Sequence, residues 1–181
     1  MGLKVDAILS SDLLTVVKDN VSRSIVVEST DGKVSSFVNK VITSISSTVD
    51  GGLAKISVMR LWGHGITHFA DGGTFPNGNV LFGKEQPDRD EVFFSTFDKF
   101  SGDLGRLTPY FEQGARVELR GCSTARGEGK KLMIALADLW QVEIDASENS
   151  QSLVTVWDRP VYVAKPGLKA VGTTRGIDIN E

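Results

Sequence analysis

The sequence predicts a three-layer α/β/α sandwich built on a mainly parallel sheet. Three observations lead there. Short apolar runs alternate with windows of helical spacing along most of the chain. Two of those runs end at a glycine, in Leu61-Trp62-Gly63-His64-Gly65 and in Arg120-Gly121-Cys122-Ser123-Thr124. And 181 residues, 40% of them hydrophobic and 24% charged, suffice for one well-filled core.

Residues 5–9 form the first short apolar run, and Ser10-Ser11-Asp12 offers a helix N-cap. Leu13, Leu14, Val16, Val17 and Val21 then space as a short helix, although its β-branched residues favour helix poorly. Residues 24–29 read as a strand, and Asp31-Gly32 is a turn signal. Phe37, Val38, Val41, Ile42, Ile45 and Val49 repeat at helical spacing until Asp50-Gly51-Gly52 stops them. Residues 54–61 alternate apolar and polar, as a strand does.

Residues 66–90 are rich in Gly, Asp, Asn and Pro and read as one long loop. Residues 93–111 read as mostly helical, on the spacing of Phe94, Phe97, Phe100, Leu104, Leu107 and Phe111, with Gly114 as the stop. Residues 115–119 form the strand that leads to Gly121-Cys122. Residues 128–140 carry the best helical pattern, with Leu132, Met133, Leu136, Ala137, Leu139 and Trp140 on one face. A strand at 142–146 follows, then a hairpin of 153–157 with 161–164 around Asp158-Arg159-Pro160. The whole chain reads as one domain, 1–181, with its core at about 24–167 and a polar, loose tail over 168–181.

Bulk properties exclude several classes of function. A net charge of −3 and a pI of about 5.5 give no electrostatic basis for binding nucleic acid. No run of about 18 apolar residues is present, so no membrane span is expected. The start, Met1-Gly2-Leu3-Lys4-Val5-Asp6, does not resemble a signal peptide, and the expected compartment is the cytoplasm, with non-classical secretion left open. A single cysteine makes no internal disulfide. Trp62-Gly63-His64-Gly65-Ile66-Thr67-His68 has no metal-ligand spacing, so neither a metal nor any other cofactor is expected.

The chemistry lies at the two glycine-flanked strand ends. In a mainly parallel sheet, ligands bind at the carboxyl ends of the strands, which is where His64 and Cys122 fall. An ordinary thiol is only a few per cent thiolate near neutrality, and an adjacent imidazole activates it by taking its proton. The oxyanion that follows attack on a carbonyl needs donors, and the backbone N–H groups of Gly65 and Cys122 are candidates.

Order, spacing and flanking strands together make the chain resemble a caspase-like (clan CD type) cysteine peptidase. It is most similar to small bacterial caspase-like domains of uncharacterised function. The resemblance is densest over 56–65 and 106–147, through His64-Gly65, Leu107-Thr108-Pro109-Tyr110-Phe111, Gly121-Cys122 and Gly129…Leu132…Leu136-Ala137…Trp140. It implies a caspase-like sheet and a cysteine endopeptidase acting on a protein or peptide substrate. His64 is then the proton shuttle, Cys122 the nucleophile and Gly65 an oxyanion donor. Arg120 stands where these families shape the pocket for the residue before the cut, which implies a preference for an acidic side chain there. Trp157 would add an apolar wall to the same cleft. Asp88-Arg89-Asp90 would be a site of self-processing.

Plainer readings stand beside these. Cys122 can be a small core residue, His64 a turn residue, Arg120 a strand residue paired with Glu118, Trp157 core, and the loop at 88–90 a solvated surface. A catalytically silent caspase-like module and a self-cleaving toxin-type peptidase are the competing functions. The sequence leaves the oligomeric state open.

Overall fold

The computed structural model describes residues 2–21, 23–48, 55–64, 80–82, 88–149 and 160–174. It is an α/β fold around one seven-stranded, mainly parallel sheet, with helices on both faces. The strands are β1 (Leu3–Ile8), β2 (Ile25–Glu28), β3 (Ile56–Trp62), β6 (Phe111–Arg120), β7 (Glu143–Ser147), β8 (Val161–Ala164) and β9 (Gly172–Thr174). Their order across the sheet is β2-β1-β3-β6-β7-β8-β9. The first five run parallel, and β8 is antiparallel to both β7 and β9.

Side chains alternate across each strand, so the sheet has two distinct faces. On one face Val5, Ala7, Met59, Leu61, Val117, Leu119, Ile144 and Ala146 form the main core. Helices α2 (Val34–Ser46), α3 (Phe97–Gly105) and α4 (Gly129–Trp140) cover it and pack on one another in that order. Helix α2 buries Phe37, Val38, Val41 and Ile45 of the predicted stripe and adds Val34, while Ile42 is half-buried and Val49 lies outside the described residues. Helix α4 buries Leu132, Met133, Leu136, Ala137 and Trp140, and the Trp140 indole N–H donates to the Leu104 carbonyl at 2.8 Å. On the other face the short helix α1 (Leu14–Asn20) packs Val17 against Ile8 and Trp62.

Three stretches depart from the sequence reading. The helical stretch at 93–111 is broken: α3 ends at Gly105, Thr108–Tyr110 make a 3-10 turn, and Phe111 already begins β6. Pro109 is the cause, because a proline disfavours α geometry in the residue before it and cannot donate to a helix. Gly114 therefore does not stop a helix. It sits inside β6 at φ +79°, where the pairing with β3 slips from Ile56↔Phe111 to Val58↔Arg116. Open space surrounds the position a Cβ would take. Gly114→Ala should therefore cost only the left-handed backbone penalty, about 1–2 kcal/mol, measured as a fall in the urea midpoint at unchanged slope.

The loop at 66–90 contains order at its far end. Strand β4 (Val80–Leu81) pairs antiparallel with β5 (Glu91–Val92), and Phe82 packs on the Phe37 ring at 5.5 Å. Asp90 does structural work there: its carboxylate accepts the Val34 N–H at 3.0 Å, at the start of α2. Its backbone N–H donates to the Gly32 carbonyl at 2.7 Å. Asp88 is the exposed acid, paired with Lys33 at 3.0 Å. In the C-terminal part, Val161–Ala164 is a strand as expected, and the tail adds the edge strand β9. The other half of the expected hairpin, 153–157, lies outside the described residues.

Candidate active site

Register fixes the relation between the two candidate catalytic residues. From Val58↔Arg116 to Trp62↔Arg120, β3 and β6 pair at a constant offset, and the Gly63 N–H still donates to the Arg120 carbonyl at 3.4 Å. Cys122 lies at that same offset from His64. His64 and Cys122 therefore each sit two residues past the carboxyl ends of adjacent central strands, which lie about 4.8 Å apart in a sheet. Both are half-buried.

The turn after Cys122 is held by several bonds at once. Ser123 is in the left-handed region at φ +55°, a conformation that costs a non-glycine residue on the order of 1–3 kcal/mol. Its N–H donates to the Asn149 carbonyl at 2.9 Å, and the Ala125 N–H donates to the Ser147 carbonyl at 2.9 Å. The Thr124 hydroxyl donates to the Gly121 carbonyl at 3.0 Å. These bonds anchor the turn to the end of β7. A brace secures that end in turn: Glu148 accepts from Lys130 at 3.1 Å and from the Tyr162 hydroxyl at 3.0 Å.

The loop that leaves β1 supplies a residue the sequence reading put to another use. Asp12, read as part of a helix cap, places both carboxylate oxygens 3.0 Å from His64 Nε2. The Ser10 hydroxyl, buried, donates to Asp12 Oδ1 at 2.6 Å. The strand order explains the meeting. The chain leaves β1 toward β2 on one side and later leaves β3 toward β6 on the other, so the sheet reverses its winding between β1 and β3. A crevice opens at such a reversal, and Asp12 and His64 stand on its two sides.

Beneath this edge, on the α1 face, a row of charges crosses the four central strands. Asp6, Arg60, Glu118 and Asp145 are direct neighbours in the strand register. All four are buried. Glu118 gathers three guanidinium groups. Its Oε2 accepts from Arg60 Nε at 3.1 Å and from Arg120 Nε and Nη2 at 2.9 and 2.6 Å, while Arg116 Nε lies 3.2 Å from Oε1. Asp6 pairs with Arg60 Nη1 at 3.4 Å and accepts the Trp62 indole N–H at 2.7 Å. The Arg120 guanidinium lies 5.4 Å from the centre of the Trp62 ring.

Arg120 is thus the salt-bridged strand residue of the plainer reading, with Glu118 two positions away on its own strand. Its side chain has no exposed surface. Burial pulls its guanidinium below the usual value and Glu118 pushes it back up. The specificity role expected of it needs a guanidinium free to meet a substrate, and the contact with Glu118 takes that support away. His64, Leu61, Gly63, Leu119, Gly121 and Thr124 line a small crevice at the sheet edge. Gly65, His68 and Trp157 lie outside the described residues. Among the described residues, no group of three His, Cys, Asp or Glu side chains is arranged to hold a metal, and no helix is long and apolar enough to cross a membrane. Comparison of the chain with protein-family models, with curated proteins and with solved structures finds no match.

Proposed function

We propose that the chain is a cysteine endopeptidase of caspase-like type, with Cys122 as nucleophile and His64 as its proton acceptor. The supporting observation is the shared register: a lone thiol and an imidazole, each two residues past the carboxyl ends of adjacent strands, beside the reversal of the sheet. The reaction follows from the groups. The Cys122 S–H proton passes to the imidazole, and the thiolate attacks the peptide carbonyl. The backbone N–H groups of Cys122 and Gly65 receive the oxyanion. The amine leaves with the proton from His64, and water hydrolyses the thioester. No side-chain preference at the cut is proposed, because Arg120 is engaged by Glu118.

A second reading is a caspase-like module that binds a partner without cutting it, with Cys122 as a small half-buried residue of the turn. Two measurements separate the readings. A proteome-derived peptide library treated with the wild type should show cuts that are missing with Cys122→Ala. Iodoacetamide should alkylate Cys122 faster than a model thiol near neutrality, and His64→Ala should slow it roughly 10-fold, the gain expected when a few per cent of thiolate becomes most of it. A slow thiol indifferent to His64, with no cuts, leaves the binding module.

A further inference from the structure

We propose that Asp12 is the positioning residue of His64, holding the ring through Nε2 so that Nδ1 takes the proton from Cys122. The inference rests on the dyad reading and adds a third member to it, from an element that carries neither of the other two.

The geometry is directional. An ionised carboxylate only accepts hydrogen bonds, so a partner nitrogen 3.0 Å from both its oxygens must carry a proton. That fixes the neutral imidazole as the Nε2–H tautomer and leaves the Nδ1 lone pair as its one basic site. When the thiol ionises, the S–H bond breaks and its proton bonds to Nδ1. The imidazolium formed keeps its Nε2–H on Asp12, and the carboxylate stays ionised and faces the new positive charge. Asp12 takes up no proton and touches no substrate.

Asp12 is itself held. The buried Ser10 hydroxyl fixes one carboxylate oxygen at 2.6 Å. The Leu13 N–H donates to the Ser10 carbonyl at 3.2 Å and closes the 3-10 turn that carries Asp12. Leu13 and Leu14 then pack with Ile8, Val17 and Trp62, and Trp62 is two residues before His64. One small apolar cluster therefore sets the positions of both the acid and the ring.

The test uses the full chain and its Asp12→Ala, Asp12→Asn and Ser10→Ala variants, with folding checked by circular dichroism. The first readout is the 15N chemical shifts of the His64 ring at a pH where it is neutral, which report the tautomer without any need for activity. The second is the rate of Cys122 alkylation by iodoacetamide near neutrality. The proposal expects the wild-type ring as Nε2–H, a mixture of tautomers in Asp12→Ala, and alkylation slowed roughly 10-fold in that variant. Asp12→Asn offers an N–H donor as well as an acceptor and loses the charge, so it should allow or favour the opposite Nδ1–H tautomer and slow alkylation at least as much. Ser10→Ala should give the effects of Asp12→Ala in smaller degree, and it keeps the test open if Asp12→Ala does not fold. An unchanged tautomer in Asp12→Ala overturns the proposal. Alkylation that depends on His64 but not on Asp12 overturns it too, while leaving the dyad in place. A changed tautomer with alkylation indifferent even to His64→Ala supports Asp12 as the holder of the ring and overturns the dyad instead.

Discussion

Glu118→Gln should be the most destabilising single change in the chain. The carboxylate is fully buried, and Arg60, Arg116 and Arg120 all converge on it. Glutamine keeps an acceptor at the same place but removes the charge, so an excess of buried positive charge remains. Breaking a buried ion cluster from one side costs about 3–5 kcal/mol, a large part of the roughly 5–15 kcal/mol that holds a domain folded. The urea midpoint should fall by roughly 1 M or more. Added salt should rescue little, because buried pairs are poorly screened. The double variant Glu118→Leu/Arg120→Met separates charge imbalance from lost contacts. It removes one charge of each sign and leaves Arg60 with Asp6, so it should recover most of the loss. A double variant as unstable as Glu118→Gln would show that the cluster is held by packing rather than by charge balance.

That cluster also marks the limit of what the sequence could reveal. Period-3.6 spacing marks α2 and α4, short apolar runs mark β2 and β7, and apolar–polar alternation marks β3, because those signals are local. The same spacing continues through Phe97, Phe100, Leu104, Leu107 and Phe111 and hides the start of β6 behind a helical pattern. Pro109 was the contrary signal, and it prevailed. Strand β9 was invisible because Gly172-Thr173-Thr174 has no apolar residue to betray an edge strand. His64 and Cys122 were legible through their glycines, and the common offset along β3 and β6 shows why: the spacing in sequence equals the register in the sheet. Asp12 was not legible. Its contact with His64 follows from β1 lying beside β3, and adjacency in a sheet is set by topology rather than by any local pattern. The charged row has the same origin. Asp6, Arg60, Glu118 and Asp145 each look like the solvated member of an alternating strand until the register lines them up.

Asp145 should make the fold less stable as pH rises toward neutrality, and Asp145→Asn should remove that loss. Burial pushes the Asp145 carboxyl from 3.8 up to about 7, and Glu118 beside it adds to the rise. Glu143 pushes the same way, while Arg116 and Arg120 oppose it. Among the described residues, no hydrogen-bond partner meets its Oδ1. The folded chain therefore keeps a proton that the unfolded chain has already released. Stability from this group is fully present below pH 3.8, falls as pH rises and is gone above about 7. The whole span is worth on the order of 4 kcal/mol at most, and relaxation of the site will lower it. Asp31 works in the opposite direction. Its burial is outweighed by hydrogen bonds from Ser36, Lys40 and Lys33, which lower its carboxyl and lend stability only above its ordinary range. On these two groups the wild type should be more stable in acid, near pH ~4, than at neutrality. Asparagine matches the shape of the protonated acid and never ionises. At pH ~8 Asp145→Asn should be more stable than wild type by about 1–3 kcal/mol, and near pH ~4 the two should be equal within about 1 kcal/mol. Urea midpoints of both chains across that range decide it. Parallel curves would mean that Asp145 is ionised throughout, with a compensating cation beside it. Curves that converge in acid and separate above neutrality would establish a neutral carboxylic acid at the end of the charged row.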